Sequence, residues 1–239
     1  MGGGCGSLGT LMILGIAVIG TVAVVRSLRR ASRRSGTELA WGGNDSDDQL
    51  EGLQRSYVHK LQLALGRSGR EIQSKLAGFA ASGDTNSQEG LAELLSQTVL
   101  ELNRQKDSIR YAGAESSGPF SLTNGESKLT ALAMSERSHF QVERIRGAEG
   151  KVHKSESAAV VGKEVLEYIV VTVLVATRTP LSDIREIKAR EDVSPVLSAF
   201  GSVSGRSLLG LEVIWMPADE DDSLTETDVM TTYPELRSL

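Results

Sequence analysis

The sequence predicts an α+β domain: a mostly antiparallel sheet of about four strands with helices packed on it, preceded by one N-terminal transmembrane helix. Three observations predict it. "VLEYIVVTVLVATR" and "LLGLEVIWMP" are dense in β-branched and apolar residues on both faces, the composition of strands covered on each side. "TNSQEGLAELLSQTVLELNRQ" carries the three-four spacing of a helix with one buried face, yet strands and helices do not alternate as a doubly wound sheet requires. An uncharged run, Leu8 to Val25, ends in five arginines.

That run holds 18 residues, which as a helix rises about 27 Å at roughly 1.5 Å per residue, close to the thickness of a bilayer core. A cleavable signal peptide has its positive charge before the apolar run; here Arg26, Arg29, Arg30, Arg33 and Arg34 follow it and act as a stop-transfer flank. The positive-inside rule then puts the following domain on the cytoplasmic side, or the stromal side of a plastid membrane. The same arginines suit anionic lipid headgroups. A buried core helix is the rival reading, but five arginines in nine residues do not suit a core. The organisation is therefore a Gly-rich start at 1–7, a transmembrane helix at 8–25, a basic flank and acidic flexible linker at 26–54, and an α+β domain at 55–239.

In the domain, "SYVHKLQLALG" alternates, with Tyr57, His59, Leu61, Leu63 and Leu65 on one face and Lys60 and Gln62 on the other, as in a strand. The letters also fit one long helix through residue 80; Gly66 and Gly69 favour a strand followed by a helix. In the helix after it, Leu91, Leu94, Leu95, Thr98, Val99 and Leu102 form the buried face, with Asn86 and Glu89 as a capping box. "SIRYAGAES" reads as a short strand and "SSGPFSLTNG" as turn residues. Residues 126–146 read as a helix through Leu129, Leu132, Ala133 and Phe140, and "GAEGKVHKSESAA" as a loop. A helix is expected near 191–203, between the two apolar strands.

Composition narrows the function. One cysteine, Cys5, closes no intramolecular disulfide, and His59, His139 and His153 lack metal-ligand spacing, so no metal site and no cofactor are expected. The net charge is −5, and all 31 acidic residues lie beyond Arg34, which argues against nucleic acid as a partner. A P-loop needs glycine where Ser157 stands before Gly162-Lys163, and "GSVSGRS" puts Val203 where a hydrolase elbow needs serine. "GRSG" at 66–69 has amides that would suit an anion but is more simply a turn. "PADEDDSLTETD" groups Asp219, Glu220, Asp221 and Asp222 with Glu226 and Asp228 without the spacing of a calcium loop, and reads as a solvated acidic loop. Asp219 to Asp222, with Trp215 if it is exposed, are the candidates for contact with a partner. No nucleophile, base and orienter stand in a recognised arrangement, so an enzyme is not expected.

The segment "LLGLEVIWMPADEDDSLTETDVMTTYPEL", with "EYIVVTVLVATR", "YAGA", "EGLAELLSQTVLELNR" and "YVHKLQLALG", resembles the DUF1517 domain-of-unknown-function family of cyanobacteria and plastids, over most of residues 55–239. Residues 1–34 are similar to the Gly-rich stretch, apolar segment and arginines of that family. The family includes chloroplast proteins of fluctuating-light acclimation. The resemblance implies a photosynthetic membrane, thylakoid or plasma membrane, and tuning of photosynthesis through the proton gradient and photoprotection; it carries over no catalytic or binding residue. The expectation is a single-pass protein whose domain docks on another membrane protein or complex, the linker raising its local concentration. The alternative is a membrane-tethered enzyme or small-ligand binder. The oligomeric state is left open.

Overall fold

The computed structural model describes residues 21–24, 55–148, 168–182, 184–217 and 222–239. Six strands form one sheet: β1 (Thr21–Val24), β2 (Arg55–Gly66), β3 (Ile109–Ser121), β4 (Tyr168–Thr177), β5 (Leu208–Met216) and β6 (Arg237–Ser238), in the order β1-β5-β4-β2-β3-β6. Every pairing is antiparallel. The helices are α1 (Ile72–Ser82), α2 (Gln88–Arg104), α3 (Leu122–Ala148), α4 (Val193–Gly201) and α5 (Glu226–Thr232).

The four expected strands form the body of the sheet, and the α+β class holds. β2 is followed by a 3-10 turn at Arg67–Gly69 and then α1, so residues 56–80 are strand plus helix. Two short strands were not expected. β6 adds two residues to the outer side of β3. β1 pairs with β5, Val22 opposite Val213, and so departs from the transmembrane helix read through Thr21–Val24; the β-branched "TVAV" suits an extended edge. Residues 8–20 and 25 lie outside the described residues, among which no helix is long and apolar enough to cross a membrane.

The sheet has two covered faces, which explains why β4 and β5 are apolar on both sides. On one face Leu61, Leu63, Leu65, Val171, Val173, Leu211, Val213 and Trp215 pack against α1, α2 and α4 around Phe200. On the other, α3 covers Val58, Leu174, Ala176 and Ile214 through Leu129 and Ala133, while α5 and Tyr233 cover Ala64, Val170 and Met216. The expected buried face of α2 is buried throughout. Its cap is Ser87, whose side chain accepts from the Gly90 amide, and not Asn86: Asp84 takes the Asn86 amide and thereby closes the preceding turn.

Two further departures have local causes. "SSGPFS" continues β3 rather than turning: Gly118 adopts φ +127°, and Pro119 lies on an edge where proline withholds no ladder bond. Glu226 and Asp228 are helical, not loop: Thr225 and Asp228 form a reciprocal capping box that starts α5.

Candidate functional site

Of the sequence-derived site residues, Trp215 and Asp222 fall among the described residues. Arg26 to Arg34 and Asp219 to Asp221 lie outside the described residues. The carbonyl of Asp222 accepts a bond from Arg70 at 3.3 Å. Trp215 is packed in the core between sheet and helices, so it is not an exposed partner contact. In "GRSG", a Cβ on Gly69 would stand 2.9 Å from Leu65, so the glycine serves close packing. Among the described residues no group of three His, Cys, Asp or Glu side chains could hold a metal ion.

What does converge is a polar belt where α3 crosses the sheet. On the α3 side, Lys60 and Gln62 of β2, Thr172 of β4 and Glu212 of β5 occupy neighbouring rungs, with Gln62 opposite Thr172. From α3, Glu136 descends between β2 and β4 and is 4% exposed. The Gln62 amide donates to both of its oxygens at 3.0 Å, and the Thr172 hydroxyl donates at 3.2 Å. Lys60 stands 3.9 Å away but donates at 3.1 Å to Glu235, so Glu136 shares its nearest cation. Burial therefore pushes the Glu136 carboxyl up, against the partial relief from Lys60 and the hydrogen bonds.

One helical position on, Arg137 reaches down to Glu212, a carboxylate 1% exposed, in a close ion pair. Burial pushes Glu212 up as well, opposed by Arg137. Beyond them His139 meets the Tyr233 ring edge-on at 5.1 Å, and Tyr233 donates to the Met216 sulfur. Burial holds the His139 imidazole below its ordinary range. Three buried polar atoms of this belt, Gln62 Oε1, Glu212 Oε1 and His139 Nδ1, have no hydrogen-bond partner among the described residues.

A second polar group lies on the opposite face. His59 is fully buried, within 3.0 Å of Thr177 Oγ1 and 2.9 Å of Ser116 Oγ, with Phe200 edge-on. Burial lowers its pKa to about 4, so it is neutral at physiological pH. It lies on the apolar face where the alternation of β2 puts it.

The belt was missed in the sequence, though two signals were present. Glu136 falls three and four residues from Ala133, Leu132 and Phe140, on the stripe that the apolar residues of α3 mark out. Glu212 is a lone acid inside "LLGLEVIWM". A carboxylate on an apolar stripe must find a buried partner or a proton. The belt encloses two carboxyl groups that burial pushes toward their protonated forms.

Fold and belt together define a layered α+β domain, an antiparallel sheet with helices on both faces and charge enclosed beneath one of them. The chain belongs to the family described as protein of unknown function (DUF1517), which matches residues 55–239. It is 30% identical over 196 residues to the Arabidopsis thaliana protein named FLUCTUATING-LIGHT-ACCLIMATION protein 1, chloroplastic, covering 82% of this chain and 50% of that relative. It is 28% identical over 228 residues to Protein FLAP1 homolog A of Synechocystis sp. (strain ATCC 27184 / PCC 6803 / Kazusa), covering 90% of this chain and 66% of that relative. The match thus spans half the length of the first relative and 66% of the second. No solved structure matches the chain.

Proposed function

We propose that this chain is a membrane-anchored regulatory protein of a photosynthetic membrane, whose domain docks on a membrane complex and tunes acclimation to changing light. The observation that carries the reading is the family match over the whole domain together with the names of two relatives, one chloroplastic and one cyanobacterial. The anchor is the uncharged run 8–25, and the arginines from Arg26 to Arg34 keep the domain on the cytoplasmic or stromal side of a thylakoid or plasma membrane. A run inserted in the bilayer gives up the pairing of Thr21–Val24 with β5. The domain acts by contact and not by catalysis, through control of the proton gradient and photoprotection.

Crosslinking and affinity capture of the tagged full-length protein from native membranes, beside a variant lacking residues 1–34, tests this reading. One specific membrane complex recovered with the full chain and lost with the variant supports it. Equal recovery by the variant, or no specific complex, overturns it. A second reading, a tethered domain that binds a small polar ligand, is favoured by the unpartnered buried acceptors Gln62 Oε1 and Glu212 Oε1. Thermal stabilisation by one member of a metabolite library, without capture of a complex, would favour it.

A further inference from the structure

The seating of α3 has two unlike halves. Leu129 and Ala133 are fully buried against β2, β4 and β5 and hold the first half by ordinary apolar contact. The next turn is held by Glu136, Arg137 and His139, which place charged or polar groups on the sheet. The two carboxylates of the belt are also unlike. Glu212 has Arg137 as a cation of its own. Among the described residues Glu136 has Lys60 at 3.9 Å as its cation, and Lys60 lies nearer to Glu235.

The groups facing Glu136 from each packed element among the described residues can be named. From β2 they are Lys60 and Gln62; from β4, Thr172; from β5, Glu212 with its Arg137; and from the segment after α5, Glu235. Glu115 of β3 is registered opposite Lys60 and is exposed, and His139 lies one turn further along α3. With Arg137 taken by Glu212 and Lys60 shared with Glu235, an ionised Glu136 is poorly compensated where it is buried.

We propose that Glu136 is a proton-operated latch on α3: with its proton on, the helix sits closed against the sheet, and loss of the proton as pH rises loosens the second half of the helix and bares the sheet face beneath it. The sign follows from linkage. Closed, Glu136 holds its proton more tightly than the same side chain does when α3 has lifted and the carboxyl is in water. The closed form is therefore favoured below the ordinary glutamate range, and opening rises with pH from there until the raised value in the closed form is passed. His139 has the opposite sign: it gains charge as pH falls, so it cannot produce opening on the alkaline side. The face uncovered holds Lys60, Gln62 and Thr172, the groups that Glu136 meets when the helix is seated.

The test is hydrogen exchange of the full chain in detergent micelles between about pH 5 and pH 8.5, corrected for the intrinsic pH dependence of exchange, read on α3 and on β4. The opening constant of α3 should rise by up to about tenfold per pH unit, the slope of one linked proton, while β4 stays protected. Glu136→Gln should keep α3 largely closed across the range. Glu212→Gln, which removes a carboxyl that burial also pushes up but that keeps Arg137, should take away only the smaller part of the rise. Lys60→Met, which removes the shared cation, should enlarge the rise, and it serves if Glu136→Gln does not fold. Protection of α3 that is independent of pH in the wild type overturns the proposal. So does a wild-type rise in Glu136→Gln, a rise abolished by Glu212→Gln, or a rise unaltered in Lys60→Met.

Discussion

His59 donates its Nε2–H to Thr177 Oγ1 at 3.0 Å, and the direction of that bond is fixed by its neighbours. The Thr177 hydroxyl donates to the Thr179 carbonyl at 2.6 Å, so its oxygen accepts from the ring. His59 Nδ1 is then the acceptor for the Ser116 hydroxyl at 2.9 Å. One tautomer of a neutral imidazole satisfies the whole chain from β3 across β2 to the end of β4.

That neutrality makes stability depend on acid. The folded-state pKa of about 4 lies below the ordinary 6.5, so the contribution is complete above pH 6.5 and is lost as pH falls toward 4. The loss is on the order of 3 kcal/mol. Urea unfolding at pH 7 and pH 4.5 should show it in the wild type and should show a smaller loss in His59→Gln; equal losses would count against it.

The Arg137 and Glu212 pair should couple strongly. Arg137→Met leaves a carboxylate that is 1% exposed without its cation and should cost about 3 kcal/mol. Glu212→Leu in the same chain should recover most of that loss. A double-mutant cycle on denaturation midpoints measures the coupling, and additive costs would refute it.

Two glycines should respond in opposite directions. At Gly118, φ is +127° and a Cβ would stand 2.9 Å from the Ser56 carbonyl oxygen, so Gly118→Ala should cost about 1–3 kcal/mol. At Gly78, exposed in α1, nothing lies within 4 Å, and Gly78→Ala should stabilise by about 0.5–1 kcal/mol. Thermal melts of the two variants separate the cases.

Leu129 is fully buried and stands over Gly210, where an added Cβ would meet its Cδ2 at 2.9 Å. Leu129→Ala should cost about 2–5 kcal/mol, read by chemical denaturation. A cost below 1 kcal/mol would mean that α3 is not anchored there.

The elements easiest to read in the sequence were those whose pattern has one cause. The apolar faces of β4 and β5 and the stripe of α2 reflect burial alone, and Leu91, Leu94, Leu95 and Leu102 fall where the spacing puts them. In β2 the alternation predicts a polar outer face at Lys60 and Gln62, but Gln62 is fully buried because α3 lies across it. A strand's own residues do not disclose which helix will cover it. The same limit hid the belt: Gln62 and Glu136 are separated by 74 residues, and their meeting is a property of the topology. The cap of α2 was missed by one residue because Asn86 and Ser87 are both good caps, and only the Asp84 turn decides between them.

The strand order has a consequence for synthesis on the ribosome. β2 lies between β3 and β4, yet β4 begins only at Tyr168, long after the β2–β3 hairpin is complete at Ser121. A nascent chain therefore carries β2 with one side of its backbone unpaired until residues 168–177 emerge, and β4 in turn waits for β5 at 208–216. During that interval an apolar strand edge is open to wrong partners. The helices α1 and α2, which precede β4 in the chain, supply the cover that one face of the sheet has in the meantime.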